Sequence, residues 1–181
     1  HNSYMKVYRA IEERGLALSF HSGTNSAEPM FKSLNRFATV HALGFPFHCI
    51  LHMANWVTNG LSERFPKLPL IWIEGGLAWV TFLMQRLDHE VMMRQSEAPG
   101  LKRLPSDYMR EHFYYDTCMY NPEMIQYLAG KVGTERILCG SDYPVGDEDP
   151  VGYINRVKGM SKAEKAAMLG GNAAKLLGLS I

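Results

Sequence analysis

An excess of either charge is what this chain most plainly lacks: 19 Lys and Arg stand against 18 Asp and Glu, a formal net charge of +1. Dispersed and nearly balanced charges leave no electrostatic footprint for nucleic acid and no polybasic patch for a membrane surface. Cysteine is scarce as well. Cys49, Cys118 and Cys139 are widely spaced, odd in number and set among apolar residues, with no CxxC pair, which is the pattern of reduced thiols. No GxGxxG follows any apolar run, so a dinucleotide-binding fold is excluded. No window of about 18 uncharged apolar residues is evident, and no basic segment leads into an apolar run at the start. The chain therefore reads as soluble and cytoplasmic.

What is present is a large apolar fraction. With 181 residues, 46% hydrophobic and 20% charged, the chain can bury a substantial core and is expected to form a single domain over 1–181. One stretch organises the rest: Ile137-Leu138-Cys139 runs into Gly140, then Ser141-Asp142-Tyr143-Pro144. An unbroken apolar run is the mark of a strand buried in a parallel sheet, and in α/β folds functional side chains stand at the carboxyl ends of such strands. Asp142 is either such a group or the cap of a turn before proline.

The same arrangement recurs upstream. Leu16–Phe20 predicts a short strand ending in His21-Ser22-Gly23, where His21 is either a ligand or a turn histidine. Leu68–Ile73 predicts another, ending in Glu74-Gly75-Gly76. A carboxylate there must bind a cation, pair with a base such as Arg86, or titrate, because an unpaired buried charge is strongly disfavoured. Phe113–Thr117 reads as an aromatic-rich strand. Between the strands lie helical patterns: Tyr4, Val7, Tyr8 and Ile11 before Gly15; Phe47 to Leu61; and Leu77, Val80, Met84, Leu87 and Val91 on one stripe, with Arg86 and Asp88 mostly off it. Asn121-Pro122 reads as an N-cap with proline at the first helical position, and Ser161-Lys162-Ala163-Glu164 as a capping box. Residues 24–36 read as a loop on a pocket rim. His48 and His52 share a helix face but lack the glutamate of HExxH, and 146–150 forms an acidic loop.

Strand and helix thus alternate four times, which predicts an α/β fold with a parallel sheet. A complete eight-stranded barrel takes about 250 residues, so four units correspond to half of one.

Taken in order, Phe20-His21-Ser22-Gly23, Glu74-Gly75-Gly76 with Trp79, Phe82, Arg86 and Asp88, Gly140-Ser141-Asp142-Tyr143-Pro144 and Gly171-Asn172-Ala173-Ala174 resemble the amidohydrolase-related metal-dependent hydrolases, relatives of the aminocarboxymuconate-semialdehyde and hydroxybenzoate decarboxylases. The resemblance implies a TIM-barrel-type (β/α) fold, with strands five to eight and their helices in this chain. It implies a divalent metal, zinc first and manganese second, held by His21 and Asp142. Asp142 and Glu74 would be catalytic, and Arg86, Trp79 and Tyr143 would contact a small-molecule substrate. Members carry an HxH pair on the first strand, absent here, a histidine where Glu74 stands, and often one where Val145 stands. The expected activity is hydrolysis or nonoxidative decarboxylation of a small cyclic or carboxylated substrate. The alternative is a catalytically inactive half-barrel that persists by association, as a homo-oligomer or with a missing N-terminal half.

Overall fold

A computed structural model describes residues 2–23, 28–119, 121–146 and 148–180. Its centre is a parallel sheet of four strands, β1 (Leu18–Phe20), β2 (Leu70–Trp72), β3 (Phe113–Asp116) and β4 (Ile137–Leu138), each hydrogen-bonded to the next in sequence. The register sets Phe20 beside Trp72, Trp72 beside Tyr115 and Asp116 beside Leu138, so all four carboxyl ends share one edge. Nine α-helices are described: α1 (Met5–Glu13), α2 (Phe37–Thr58), α3 (Leu61–Arg64), α4 (Ala78–Met93), α5 (Pro105–Glu111), α6 (Pro122–Val132), α7 (Pro150–Arg156), α8 (Lys162–Ala166) and α9 (Asn172–Leu177). A π-helical segment, Ala167–Gly171, joins the last two.

The helices pack on one face of the sheet. Leu70, Trp72, Phe113, Tyr115 and Ile137 are buried against Met53, Trp56 and Val57 of α2, Val80, Leu83 and Met84 of α4, and Ile125 and Leu128 of α6. Each such side chain contributes on the order of 2 kcal/mol by leaving water. Tyr115 carries its hydroxyl into this layer, donating to the Met109 carbonyl at 2.8 Å. The alternate positions face the other way: Ser19 is exposed, and Ile71 and Tyr114 are half-buried. Helices on a single face, with strands in sequential parallel order, are the barrel arrangement, since a doubly wound sheet carries helices on both faces.

Local signals held where the chemistry is local. Asn121 Oδ1 accepts from the backbone N–H of Glu123 at 3.0 Å and of Met124 at 3.1 Å, and Ser161 and Glu164 form the reciprocal capping box. The strands are shorter than their apolar runs, because a ladder extends only where a neighbour lies alongside.

Two expectations, the start of the second helix and the lack of a membrane-length apolar window, are corrected, while the loop over 24–36 stands where it is described. The helix expected from Phe47 begins at Phe37 and runs through Pro46, which lacks the N–H an interior residue would donate. This 22-residue helix contains no Asp, Glu, Lys or Arg and is long and apolar enough, by length and composition only, to cross a membrane, contrary to the reading that found no such window. His41, His48, His52 and Asn55 interrupt the apolar run without lowering its average enough to disqualify it. Its Val40, Phe45, Cys49, Met53, Trp56 and Val57 are core residues. The loop expected over 24–36 holds a 3-10 turn at Pro29–Phe31, while 24–27 lie outside the described residues.

Candidate active site

The sheet topology gathers four ionisable side chains at one edge. His21 follows the last residue of β1, Glu74 stands two residues past β2, Asp116 ends β3 and Asp142 follows β4 after a short turn. The Ile73 N–H donates to the Phe20 carbonyl at 3.1 Å, which brings the two chains side by side as they leave the sheet. Beyond that bond, His21 Nε2 meets Glu74 Oε2 in an imidazole–carboxylate pair. The histidine side chain is 49% exposed and the glutamate only 13%, so the pair has an open side and a closed one.

The backbone at this edge is unusual. Glu74 has φ 56° and Asp142 has φ 50°, both in the left-handed region. Asp tolerates that region better than most residues, whereas a longer side chain there costs roughly 1–2 kcal/mol. Such conformations persist where surrounding structure over-determines them, and they cluster at functional sites. After Asp142 the chain turns back, its carbonyl accepting from the N–H of Val145 at 2.8 Å and of Gly146 at 2.7 Å.

Asp116 is the member that the sequence reading did not single out. Its Oδ1 accepts the Glu74 backbone N–H at 3.1 Å. Burial pushes its carboxyl up to about 7, with the negative Glu74 and Asp142 adding to the rise and the N–H groups of Glu74 and Cys118 opposing it. The same enclosure pushes the Cys49 and Cys118 thiols up to about 12. A signal was available in the sequence: Asp116 closes its strand as Glu74 and Asp142 close theirs.

One imidazole and three carboxylates form a donor set of the borderline-hard kind that suits zinc or manganese. Among the described residues, however, no three His, Cys, Asp or Glu side chains converge as a ready cage. His21 Nε2 is instead turned to Glu74.

The other predicted contacts divide. Trp79 lines a cavity of about 320 Å³ with Gly75, Gly76, Cys118 and Met119, which follow Glu74 and Asp116 in the chain though neither carboxylate lines it, and its Nε1 donates to the Gly75 carbonyl at 2.6 Å. Tyr143, next to Asp142, is 89% exposed. Arg86 pairs with Glu90 at 2.9 Å and not with Glu74 or Asp88; the Asp88 carboxylate instead accepts the Ser106 N–H at 2.8 Å. His48 bonds Glu28 at 2.9 Å while His52 stacks on Phe20, so these two histidines are spent separately. A larger groove of about 750 Å³ between α1 and α2 contains none of the four edge residues.

The sequence matches the Amidohydrolase family over residues 1–179. The chain belongs to that family. Among its relatives is a 2-amino-3-carboxymuconate-6-semialdehyde decarboxylase of Dictyostelium discoideum, 27% identical over 140 residues, covering 76% of this chain and 38% of the relative. Its counterpart in Caenorhabditis elegans is 23% identical over 146 residues, covering 80% and 36%. Among solved structures, the 5-carboxyvanillate decarboxylase of Sphingomonas paucimobilis superposes with a TM-score of 0.85 at 27% identity, covering 98% of this chain and 53% of that protein. A dihydroxybenzoic acid decarboxylase of Polaromonas, solved with manganese and 2-nitroresorcinol, superposes at 0.82 with 20% identity, a likeness of fold. This amidohydrolase-family chain thus spans roughly half the length of the solved structures it matches, and less of the curated relatives.

Proposed function

We propose that this chain carries the carboxyl-edge machinery of a metal-dependent amidohydrolase-type enzyme that decarboxylates a small carboxylated substrate without oxidation, hydrolysis of a small cyclic substrate being the other chemistry open to the same groups. The observation that carries the proposal is that His21, Glu74, Asp116 and Asp142 follow the carboxyl ends of four adjacent strands, His21 paired with Glu74 and Asp116 bonded to the Glu74 backbone, in a chain whose relatives at 27% identity are decarboxylases. His21 and Asp142 would hold a divalent cation, zinc or manganese, with further ligands from outside the described residues or from a second copy. Bound there, the metal would polarise a substrate oxygen or lower the pKa of a bound water. Glu74 and Asp142 would hold and move protons beside it. Trp79 would wall the cavity it shares with Gly75 and Gly76, and Tyr143 would reach substrate from the solvent side. Arg86 would have to leave Glu90 to meet a substrate carboxylate, which makes it the weakest of the three contacts.

Elemental analysis of the purified protein beside an Asp142→Asn variant tests this. Near-stoichiometric zinc or manganese, lost in the variant, followed by release of carbon dioxide from small aromatic or enol acids, is the expected result. A wild-type protein that stays metal-free after incubation with either cation would count against it.

A second reading has its own observation. The sheet face carrying Ser19, Ile71 and Tyr114 has no covering layer among the described residues, and β1 and β4 each pair on one side only. Exposed strand edges and an uncovered face favour association, so this chain would act or persist as a homo-oligomer or with a complementary half-barrel. Light scattering decides the point: a monodisperse monomer excludes it.

A further inference from the structure

We propose that Asp116 is a positioning residue that holds Glu74 in place and aims its carboxylate at His21. The inference rests on the reading of this edge as the functional site and adds to it a residue that need touch neither metal nor substrate.

Glu74 leaves β2 with φ 56°, so something must compensate a conformation that a long side chain avoids. Its N–H keeps to the β3 side, where the Leu70 N–H donates to the His112 carbonyl, while Ile73 donates on the other side to Phe20. Asp116 Oδ1 takes the Glu74 N–H at 3.1 Å and stands in for a backbone acceptor at the point where the ladder ends. The same carboxylate accepts the Cys118 N–H, which ties it to its own strand's exit.

The third strand exit is built around it too. A Cβ placed on Gly140 would lie 2.4 Å from Asp116 Oδ2, so only glycine lets the turn after β4 approach this closely. The Gly140 N–H in turn donates to Thr117 Oγ1 at 3.2 Å. Asp116 therefore ties the exits of β2 and β3, and the exit of β4 packs against it while bonding to its neighbour Thr117.

An amide at position 116 would keep one acceptor oxygen for the Glu74 and Cys118 N–H groups and lose the other. The Glu74 side chain runs from the backbone point that Asp116 holds to its contact with His21, so fixing that point fixes where the carboxylate begins its reach.

The test uses the full chain labelled with 15N-histidine and free of metal. The His21 imidazole signals are assigned with His21→Gln among seven histidines, and thermal unfolding is followed in parallel. Glu74→Gln sets the signal of an altered pair. Asp116→Ala is expected to move the His21 signals toward that position, Asp116→Asn to move them part of the way, and Asp116→Ala combined with Glu74→Gln to add nothing beyond Glu74→Gln alone. A folded Asp116→Ala protein with wild-type His21 signals overturns the proposal. Should Asp116→Ala not fold, Gly140→Ala, which crowds Oδ2, takes its place with the same two outcomes. Titration with manganese(II) separates the two readings. Where wild type binds the ion, Asp116→Ala should bind it about 10–100-fold more weakly, as the loss of an outer supporting group does. Where wild type binds none, the metal reading falls and the His21 signals still decide this one.

Discussion

Asn172 gives both protons of its side-chain amide to the segment that enters β4, one to the Thr134 carbonyl and one to the Ile137 carbonyl, each at 2.8 Å. The donor is buried, and its partners lie 38 and 35 residues earlier in the chain. The last helix thereby fixes the approach of the strand whose far end presents Asp142. Replacing Asn172 by Ala leaves two enclosed carbonyls without these partners, at a cost of about 1–3 kcal/mol. Urea denaturation of Asn172→Ala should show a lowered midpoint with an unchanged slope. Asn172→Asp should cost at least as much, since a carboxylate facing two carbonyls has nothing to donate.

Gly60 is the second point of strain. It has φ +64°, and a Cβ there would stand 3.0 Å from the Gly100 carbonyl oxygen. Both the conformation and the neighbouring backbone oppose a side chain, so Gly60→Ala should destabilise by about 1–3 kcal/mol. Gly130→Ala is the control: nothing lies within 4 Å of its Cβ position, in the last turn of α6. That change should stabilise by about 0.5–1 kcal/mol.

His112 sets a pH dependence of known sign. Burial first, then the charge of Arg103, lowers its pKa below the ordinary histidine value of 6.5. The unfolded chain therefore binds the proton more readily than the folded one. The stability contributed by neutral His112 is fully present above the unfolded pKa and is lost as pH falls through it toward the lower folded value. Thermal midpoints of wild type and His112→Gln should converge as pH falls from 8 to 5; parallel profiles would exclude the effect.

The thiols give a labelling prediction. Cys49 and Cys118 are buried with pKa pushed up to about 12, and burial raises Cys139 as well. Thiolate is the reactive form, so at pH 8 an aromatic disulfide reagent should modify the native protein slowly and all three cysteines rapidly in denaturant. Prompt native labelling of two or more would show that the carboxyl edge opens to solvent on that timescale.

The amino-acid sequence by itself determined the alternation of strand and helix, the glycines that follow three of the strands, the Asn121 and Ser161 caps, and the acidic or imidazole group at three strand ends. Each of these is a matter of residues within a few positions of one another, where period, capping and turn chemistry act. Tertiary structure decided the rest. His21 and Glu74 are 53 residues apart and meet only because β1 and β2 lie side by side and the backbone at Glu74 turns, at φ 56°, just past the strand end. Asp116 joins them because β3 lies next to β2, which nothing in its aromatic run announces. Arg86, named by residue type as a partner for Glu74, pairs instead with Glu90 one turn along its own helix. Local chemistry chose which groups the chain would present at its strand ends, and the long-range pairing of strands chose which of them would touch.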